Sequence, residues 1–536
     1  MLYTSAVKLH AVVWVFSLAL MLGTIAIAPV QRTQEARVLE AAREMLGGGW
    51  QGWMIPHANG IVRLQKPPLA YWMSAASFSL LGVSDWAGRL PMALCGWVTV
   101  VLTYHIAVRQ FASVRAAIFS AALLLGSFLF YRLARNAETD VVIALTLTLA
   151  IAAIWRSFEL DRANPSRRLL PISAATFGWF QLSGAALGLA GIAKGPPVGF
   201  AFLFFAGLLL ITRQWRTALR WITSGAPFIA VLIALPWWIY ARRLPQGAII
   251  SNELDVLLEG RDHAAPVYQY FPILLKAMLP WTPLAILAIV DPIRTVRRDR
   301  TSQRLLMWLV AILLPLCVIA NKQDHYLLPL MPPLALITGR WLAERVQSPS
   351  RDWRYHATRV IIFASVAALS IGALALPIIA RRERGDIIVA DLLAAIILLS
   401  LCAVAWRVIV RSGFDAGVTA FVIAGAGAMV TLLAWWPSTQ TNNPRQIAAQ
   451  LQELNGQTYC FYGSNFSLPL IFYLNTVVPQ AFTPQELSEL ARRRPNLIVI
   501  GQTKSDVSPP PVPEGFEVVR EIVTKDQKFE IYRSIQ

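Results

Sequence analysis

Charged side chains are concentrated between Gln31 and Pro68, directly after the first apolar segment of the chain. Glu35 and Arg37 belong to a stretch in which apolar residues recur at helical spacing, which is typical of a helix lying in a membrane interface. Lys66 precedes two prolines, so its backbone is stiff. Acids and fixed cations at a bilayer surface could bind a phosphate group and transfer a proton.

A second group of charges lies at the ends of later apolar segments. Asp140 opens such a segment, shortly after Arg135. A carboxylate at the edge of the hydrocarbon is costly and usually functional, which favours a functional role over simple pairing with Arg135. Lys194 precedes two prolines after a glycine, much as Lys66 precedes its own pair. Lysines that contact lipid headgroups would look the same, but the repeated pattern favours phosphate binding.

Two further loops carry charged residues. Asp262 and His263 belong to an acidic loop, and Lys322, Asp324 and Tyr326 belong to a short turn. An acidic loop is usually a solvated surface, and a single histidine is weak evidence for a base or a metal ligand. The sequence has four cysteines and neither an HExxH motif nor a Cys/His cluster. We therefore predict no disulfide framework and no metal site, with His263 as a weak candidate for a divalent-metal ligand.

The composition indicates a polytopic membrane protein. Of the 536 residues, 56% are apolar, and the mean hydropathy is +0.52. The formal charge of +18 would suggest nucleic-acid binding in a soluble protein. Here the arginines cluster in short loops between apolar segments, as they do in cytoplasmic loops. The thirteen predicted membrane spans are 11–30, 87–109, 114–132, 140–158, 170–192, 196–212, 220–240, 269–290, 304–320, 326–343, 359–380, 387–410 and 416–436.

The arginine-rich loops also predict which side of the membrane each loop faces. Leu69–Val83 is apolar but has only 15 residues, fewer than the roughly 20 that a helix needs to cross a bilayer. We interpret it as a re-entrant or interfacial helix, because counting it as a span would turn the arginine-rich loops outward. The segments then predicted outside the cytoplasm are 31–83, 133–139, Lys194, 242–269, 321–325, 381–386 and 437–536.

Hydropathy falls after Trp436, which predicts a membrane domain over 1–436 and a soluble domain over 437–536. The predicted helices of the second domain are 445–454 and 484–493, and its predicted strands are 458–462, 497–501, 517–522 and 529–532. Thr483, Pro484 and Glu486 have the pattern of a capped helix start. Residues 508–513 form a proline-rich connector. We expect a small α/β domain that serves recognition or support.

Six short motifs follow one another along residues 1–345. They are Glu35-Ala36-Arg37, Lys66-Pro67-Pro68, Arg89-Leu90-Pro91, Ala134-Arg135 with Asp140, Lys194-Gly195-Pro196, and Lys322 with Tyr326-Leu327-Leu328-Pro329. In this order they resemble the lipid-dependent glycosyltransferases of the GT-C class, in the group of the aminoarabinose–lipid A transferases and the bacterial protein O-mannosyltransferases. The resemblance implies an α-helical GT-C-like membrane fold in the bacterial inner membrane, with the C-terminal domain in the periplasm.

The resemblance also implies a reaction and its residues. A sugar such as aminoarabinose or mannose would pass from a polyprenyl-phosphate donor to lipid A, another glycan or a protein, with no nucleotide or redox cofactor. The residues that would bind the lipid phosphate are Lys66, Arg37, Lys194, Arg135, Lys322 and Tyr326. Asp140 or Glu35 would act on the acceptor hydroxyl. Asp262, His263 and Asp324 would lie near the acceptor or the sugar.

Two positions depart from the family pattern. The family has an aspartate, taken as catalytic, where this chain has Gln34, and an amide cannot act as a general base. Asp140, Glu35 or another acid must therefore take that role. Members of the family also often have a glutamate, proposed as a metal ligand, where this chain has Gln65, which weakens any zinc site.

Two other functions use the same residue types. A transporter or flippase of lipid-linked sugars would show inverted repeats and charges at the membrane midplane, whereas this sequence has no internal repeat and its charges concentrate at one surface. A receptor for the lipid that bears Gln34 and does no catalysis is the second alternative.

Overall fold

The computed structural model describes residues 2–163, 172–247, 264–347, 352–454, 458–494, 496–505 and 512–535, with side chains from residue 10 onward. The predicted residues Asp262 and His263, and most of the 508–513 connector, lie outside these ranges. Six of the described helices are long and apolar enough to cross a membrane, or nine when three bent helix pairs each count as one span. The chain is a polytopic membrane protein, and its thirteen spans stay a prediction.

The helices between residues 2 and 435 include those of the predicted spans and three shorter ones in the loop 31–83. They are α1 (Leu2–Leu22), α2 (Thr33–Gly47), α3 (Gly49–Met54), α4 (Leu69–Leu81), α5 (Asp85–Phe111), α6 (Val114–Leu125), α7 (Phe128–Ala134), α8 (Thr139–Ala163), α9 (Ala174–Ala193), α10 (Val198–Thr212), α11 (Trp215–Thr223), α12 (Ala226–Arg242), α13 (Tyr270–Ala277), α14 (Thr282–Thr295), α15 (Arg300–Val318), α16 (Met331–Gln347), α17 (Trp353–Arg384), α18 (Val389–Arg411) and α19 (Gly413–Trp435). A 3-10 helix, Asp324–Leu330, precedes α16, and strands β1 (His57–Ala58) and β2 (Ile61–Val62) pair antiparallel.

Three predicted spans are pairs of helices rather than single helices. α6 and α7 meet at 67°, beside Gly126, where a Cβ would lie 2.7 Å from the Cα of Ala426. α11 and α12 meet at 53° beside Gly225, whose φ of 84° favours glycine. α13 and α14 meet at 116° beside Pro280, which has no amide hydrogen for a helical hydrogen bond.

The first predicted span, 11–30, ends early, because α1 stops at Leu22. The turns that follow are stabilised by a buried arginine. The Arg89 guanidinium donates to the carbonyl oxygens of Ile25 at 2.7 Å and Ala28 at 2.5 Å. These hydrogen bonds satisfy backbone groups that a continuing helix would have satisfied.

The C-terminal region is a small α/β unit, in agreement with the sequence analysis. Its elements are α20 (Pro444–Gln452), β3 (Thr458–Tyr462), α21 (Leu468–Leu474), β4 (Gln480–Ala481), α22 (Pro484–Arg493), β5 (Leu497–Lys504), β6 (Phe516–Val523) and β7 (Gln527–Ser534). The strand order is β4-β3-β5-β7-β6, parallel among the first three and antiparallel among the last three. The predicted cap is confirmed, since the Glu486 amide donates to the Thr483 hydroxyl at 3.2 Å. α21 and β4, which the sequence analysis missed, are too short to show a period.

The C-terminal region packs on the loop 31–83 and on α5. The Tyr473 hydroxyl donates to the Asp85 carboxylate at 2.9 Å and accepts from the Val30 amide at 2.8 Å. Asn59 exchanges two hydrogen bonds with the backbone of Val478, at 2.9 and 2.8 Å. These contacts place two of the segments predicted outside the cytoplasm, 31–83 and 437–536, at one end of the protein.

The amphipathic helix α2 is enclosed by protein on its apolar side. Ala36, Leu39 and Ala42 are fully buried, and the helix packs against α4 and α21. Gly88 on α5 lies so close that a Cβ there would be 2.2 Å from the Leu39 side chain. The position of α2 is therefore fixed by membrane helices on one side and by the C-terminal region on the other.

Candidate active site

A small cleft lies where the loop 31–83 meets the start of α8, the end of α9 and the turn before α16. Its lining residues are Gln34, Arg37, Val38, Arg63, Lys66, Tyr71, Glu138, Thr139, Asp140, Lys194 and His325. All of them except Asp140, the first residue of a predicted span, come from four of the segments that the sequence predicts outside the cytoplasm. Four lining residues are arginine or lysine and two are carboxylates, so the lining carries an excess of positive charge that suits a phosphate group.

The β1–β2 hairpin and the two prolines hold the first cations in place. Gly60, with φ of 75°, forms the tight turn between the strands. Arg63 follows β2, and its backbone amide donates to the Pro56 carbonyl at 2.7 Å. The Arg63 Nε is buried and has no hydrogen-bond partner within the described part of the chain. Lys66 then lines the cleft directly before Pro67 and Pro68, and α4 starts at the next residue.

Asp140 and Lys194 form a buried ion pair at the mouths of two helices. α8 begins at Thr139 and α9 ends just before Lys194, so both side chains are carried by fixed backbone. The Lys194 Nζ lies 2.5 Å from the Asp140 Oδ1 and 4.4 Å from the centre of the Tyr326 ring. The His325 Nε2 lies 3.8 Å from the other carboxylate oxygen. Asp140 therefore holds the ammonium of Lys194 at the cleft.

Glu138 is the second carboxylate of the cleft, and it is only 3% exposed. Its Oε1 lies 2.8 Å from an Arg32 guanidinium nitrogen, but neither atom has a hydrogen bond of good geometry among the described residues. Burial raises the pKa of Glu138 to about 7, against the opposing attraction of Arg32. A carboxyl group with that pKa can accept a proton near neutral pH.

Glu35, predicted as a catalytic acid, is absent from the cleft lining. It is 2% exposed and paired with Arg89, whose Nε and second guanidinium nitrogen lie 2.7 and 3.1 Å from its two oxygens. One of these oxygens also accepts from the Ala137 amide at 3.1 Å. Both oxygens are thus occupied by groups that join α2, α5 and the turn before Glu138.

Arg135 and Lys322, predicted to bind the lipid phosphate, also lie outside the cleft lining. Arg135 is buried and donates to the carbonyl oxygen of Leu433 on α19. The Lys322 ammonium donates to the Cys317 and Ile319 carbonyls at 3.0 and 2.5 Å, at the end of α15. A cation at a helix C-terminus satisfies free carbonyl groups, which explains Lys322 without a ligand.

Asp324, predicted near the acceptor or the sugar, borders the cleft through its neighbour His325. Its carboxylate pairs with Arg132 and lies 3.5 Å from the His325 Nδ1. The hydrogen bond with His325 and the charge of Arg132 hold the pKa of Asp324 well below its usual range. Tyr326, predicted to contact the phosphate, instead carries the Lys194 ammonium over its ring.

The described residues contain no group of three His, Cys, Asp or Glu side chains that could hold a metal ion. Gln65 occupies the position of the family's proposed metal ligand, and its Oε1 is buried without a partner in the described ranges. His263 and Asp262 lie outside the described residues. The expectation of no metal site, with His263 as a weak candidate ligand, therefore remains a prediction from the sequence.

Arg63 and Glu138 also line the cleft. The sequence analysis did not assign Arg63 to the site, and it left Glu138 among the other acids that could act as the base, behind Asp140 and Glu35. Glu138 lies two residues before Asp140 and Arg63 three residues before Lys66, so each neighbours a residue that was assigned. The available signal was therefore proximity in sequence to a chosen residue. Helix spacing alone did not indicate which neighbour turns toward the cleft.

Part of the chain matches a protein-family model. Residues 38–244 match the family model described as dolichyl-phosphate-mannose-protein mannosyltransferase. This stretch contains most of the cleft lining.

Related sequences point to a neighbouring group of enzymes. The chain is 28% identical over 327 residues to the undecaprenyl phosphate-alpha-4-amino-4-deoxy-L-arabinose arabinosyl transferase of Edwardsiella ictaluri, which covers 58% of this chain and 54% of that protein. It is 29% identical over 358 residues to enzyme 1 of that name from Pseudomonas fluorescens, covering 64% and 60%. The chain thus spans less than two thirds of the length of the relatives it matches.

The fold has a counterpart among solved structures. The crystal structure of ArnT from Cupriavidus metallidurans bound to undecaprenyl phosphate superimposes with a TM-score of 0.75, at 21% identity, over 98% of each chain. Its apo structure gives a TM-score of 0.74 at 19% identity, over 99% of this chain and 98% of that one. The described part of the chain therefore has this fold. The family model and the related sequences confirm the resemblance to lipid-dependent glycosyltransferases.

Proposed function

We propose that this protein is a lipid-dependent glycosyltransferase of the GT-C class, which transfers a sugar from a polyprenyl-phosphate donor to an acceptor hydroxyl. The observation that carries the proposal is a cleft lined by four cationic residues and two buried carboxylates. The names of the related arabinosyl transferases, and of the structure that holds undecaprenyl phosphate in the same fold, support a polyprenyl-phosphate donor.

The cations account for binding of the leaving group. When the sugar departs, negative charge develops on the polyprenyl phosphate, and fixed cations stabilise that charge more than they stabilise the starting donor. Arg37, Arg63, Lys66 and Lys194 are the cationic residues of the lining. Lys194 is held by Asp140, so its ammonium group needs little rearrangement as the reaction proceeds. The two prolines after Lys66 restrict the backbone that carries the second ammonium group.

The carboxylates divide two tasks between them. Glu138 accepts the proton of the acceptor hydroxyl, because it is buried, lines the cleft and has a pKa of about 7. Asp140 is engaged by Lys194 at 2.5 Å and acts as a positioning residue for that cation. Gln34, in place of the family's aspartate, lines the same cleft as Glu138. Glu138 therefore supplies the carboxylate base that the amide of Gln34 cannot supply.

The proposal is tested by following the lipid products. Purified protein in lipid nanodiscs is incubated with polyprenyl-phosphate-linked aminoarabinose or mannose and a lipid A, glycan or peptide acceptor, and the products are identified by mass. Transferase activity releases polyprenyl phosphate and adds one sugar mass to an acceptor. Release of neither product, with the donor moved across the membrane of a vesicle, would instead establish a flippase. Donor binding without either result would establish a receptor.

Lys66→Ala should weaken binding of undecaprenyl phosphate by about tenfold, since one charge-assisted contact to a phosphate is lost. Lys66→Arg should weaken it less, because the positive charge is retained. The measurement is a titration of the purified protein with undecaprenyl phosphate. Lys504→Ala, at the end of β5 and absent from both the cleft lining and the motifs, is the matched control. Unchanged affinity in Lys66→Ala would make this lysine a headgroup anchor only.

We also propose that the cleft and the C-terminal region face the periplasm of the bacterial inner membrane. The arginine-rich loops predict this orientation, and contacts such as the Lys525–Glu383 ion pair join the C-terminal region to the same end of the helices as 381–386. A reporter that is active only in the cytoplasm should therefore be silent when fused after Gln536. An active reporter would reverse the orientation.

A further inference from the structure

A second, wider cleft lies between the start of α2 and the C-terminal region. Its lining residues are Gln31, Thr33, Arg37, Gln440, Asn442, Pro444, Phe466, Ser467, Leu468, Pro469, Gln502, Asp526 and Gln527. Arg37 lines both clefts, so the second cleft adjoins the first. The function proposed above uses no other residue of this second cleft.

The lining of the second cleft is polar but nearly uncharged. Five of its residues carry side-chain amides and two carry hydroxyl groups, whereas Arg37 and Asp526 contribute opposite charges. An amide side chain has both donors and acceptors, and so does each hydroxyl of a sugar. Amides are therefore matched to a carbohydrate, while an anionic group would meet one cation and one carboxylate.

Part of this hydrogen-bonding capacity is unused by the protein. The Gln502 Oε1 is buried and lacks a hydrogen-bond partner among the described residues. The Gln31 amide donates to the Asn442 carbonyl at 3.0 Å, and the Asn442 side chain donates to Gln527 at 3.2 Å. These bonds hold three amides in fixed positions across the cleft, where they need little reordering to meet a ligand.

An exposed aromatic ring completes the cleft. The Phe466 side chain is 44% exposed, although it is apolar, and its ring packs edge-on against Phe461 at 6.4 Å between ring centres. A sugar ring has an apolar face of C–H groups that can cover such a ring while its hydroxyls reach the amides. Binding sites of small molecules combine apolar contact and a few placed polar groups in this way.

We infer that the second cleft binds an uncharged, hydroxyl-rich carbohydrate. This inference rests on the proposed function: the carbohydrate is the acceptor, or the part of the acceptor that carries the reacting hydroxyl. The adjoining position of the two clefts brings such a hydroxyl toward Glu138 and the donor sugar. The strongly cationic first cleft takes the lipid phosphate, and the nearly neutral second cleft takes the glycan.

The inference is tested by binding of neutral disaccharides to the full chain in nanodiscs without glycolipid or sugar detergent. Saturation-transfer NMR is recorded with maltose, cellobiose and mannobiose, and with maltose 1-phosphate as the charged counterpart. At least one neutral disaccharide should bind at the second cleft. Maltose 1-phosphate can also bind through its phosphate at the cationic first cleft, so its binding should depend on Lys66 rather than on Gln502. Gln502→Ala and Phe466→Ala should each weaken binding of the neutral disaccharide by about three- to tenfold, the effect of one hydrogen bond or one packed ring.

The matched control is Gln452→Ala, which removes an exposed amide of the same region outside the cleft and should leave disaccharide binding unchanged. Gln502 has no internal bond through its Oε1, and Phe466 is exposed, so neither substitution threatens folding; unchanged thermal unfolding verifies this. No binding by any of the three disaccharides, equal binding in all variants, or maltose 1-phosphate binding that depends on Gln502 and not on Lys66 would overturn the inference.

The binding experiment contains no donor, so it is independent of transfer. If disaccharide binding depends on Gln502 but the protein transfers no sugar, the assignment of the second cleft is supported and the proposed function is wrong. Sugar transfer with the same acceptor KM in wild type and Gln502→Ala would keep the proposed function and remove the cleft assignment.

Discussion

Glu138→Gln should lower kcat by on the order of a hundredfold, the scale of a positioned general base. Burial raises the pKa of Glu138 to about 7, and a base acts only when it is deprotonated. The wild-type kcat should therefore rise with pH up to about 7 and level off above it. In Glu138→Gln the small residual kcat should be flat across the same range. The measurement is kcat between pH 5.5 and 8.5 at saturating donor.

Loss of stability would not explain this result. Burial disfavours the charged form of Glu138, so a neutral amide of the same size removes a cost of folding above pH 7 rather than adding one. The melting temperature of Glu138→Gln should therefore not fall at pH 8. Its partner Arg32 is about one third exposed, which leaves its charge in contact with water.

Asp140→Asn provides the contrasting substitution. Asp140 positions Lys194, so its loss should weaken donor binding and lower kcat while the rise of kcat near pH 7 persists. If the pH dependence disappeared in Asp140→Asn and persisted in Glu138→Gln, Asp140 would be the base and Glu138 would have a supporting role.

The sequence predicted well which segments meet, because that depends on hydrophobic spans and loop charges. Each predicted span corresponds to a helix or a helix pair, although the first one ends early at Leu22. Lys66, Asp140 and Lys194, chosen from three distant segments, line one cleft. Prolines and helix ends fix their backbones, and such signals are local and can be recognised in a single sequence.

The roles of individual side chains were harder to predict, because they depend on partners that are distant in sequence. Lys322 and Lys194 look alike as lysines in short loops, yet one caps a helix end and the other pairs with a carboxylate. Arg135 was grouped with Asp140 by proximity, but its guanidinium is bound by a carbonyl oxygen nearly 300 residues later, at Leu433. No spacing rule within a segment carries that information.

The break points of helices were also beyond the sequence analysis. The predicted span 114–132 bends beside Gly126, which packs closely against Ala426, a contact that no local pattern records. Pro280 marks the largest bend, but Pro91 and Pro377 lie within continuous helices. A proline lacks one hydrogen bond in every case, and the surrounding packing decides whether the helix bends.

Glu35 separates a catalytic from a structural explanation of the first motif. The Glu35–Arg89 pair is buried on both sides, with exposures of 2% and 1%, and Arg89 also holds the turn after α1. Glu35→Gln leaves a buried guanidinium without a counter-charge, which costs about 3–5 kcal/mol of folding free energy. For a chain of this length, that corresponds to a fall of about 4 °C in melting temperature. Differential scanning fluorimetry in nanodiscs measures it.

Two variants make this test decisive. Glu489→Gln breaks an exposed ion pair on α22 and should change the melting temperature by less than about 1 °C, because exposed pairs contribute little. Glu35→Leu combined with Arg89→Met removes both charges, so no unpaired charge stays buried. It should recover only part of the lost stability, because the backbone groups of Ile25, Ala28 and Ala137 lose their hydrogen bonds to these side chains. The kcat of Glu35→Gln should fall far less than that of Glu138→Gln, and its pH dependence should persist. A catalytic Glu35 would give the reverse, an unchanged melting temperature with a hundredfold loss of kcat. Glu35 would then do the work of the family's aspartate, whose position Gln34 occupies in this chain.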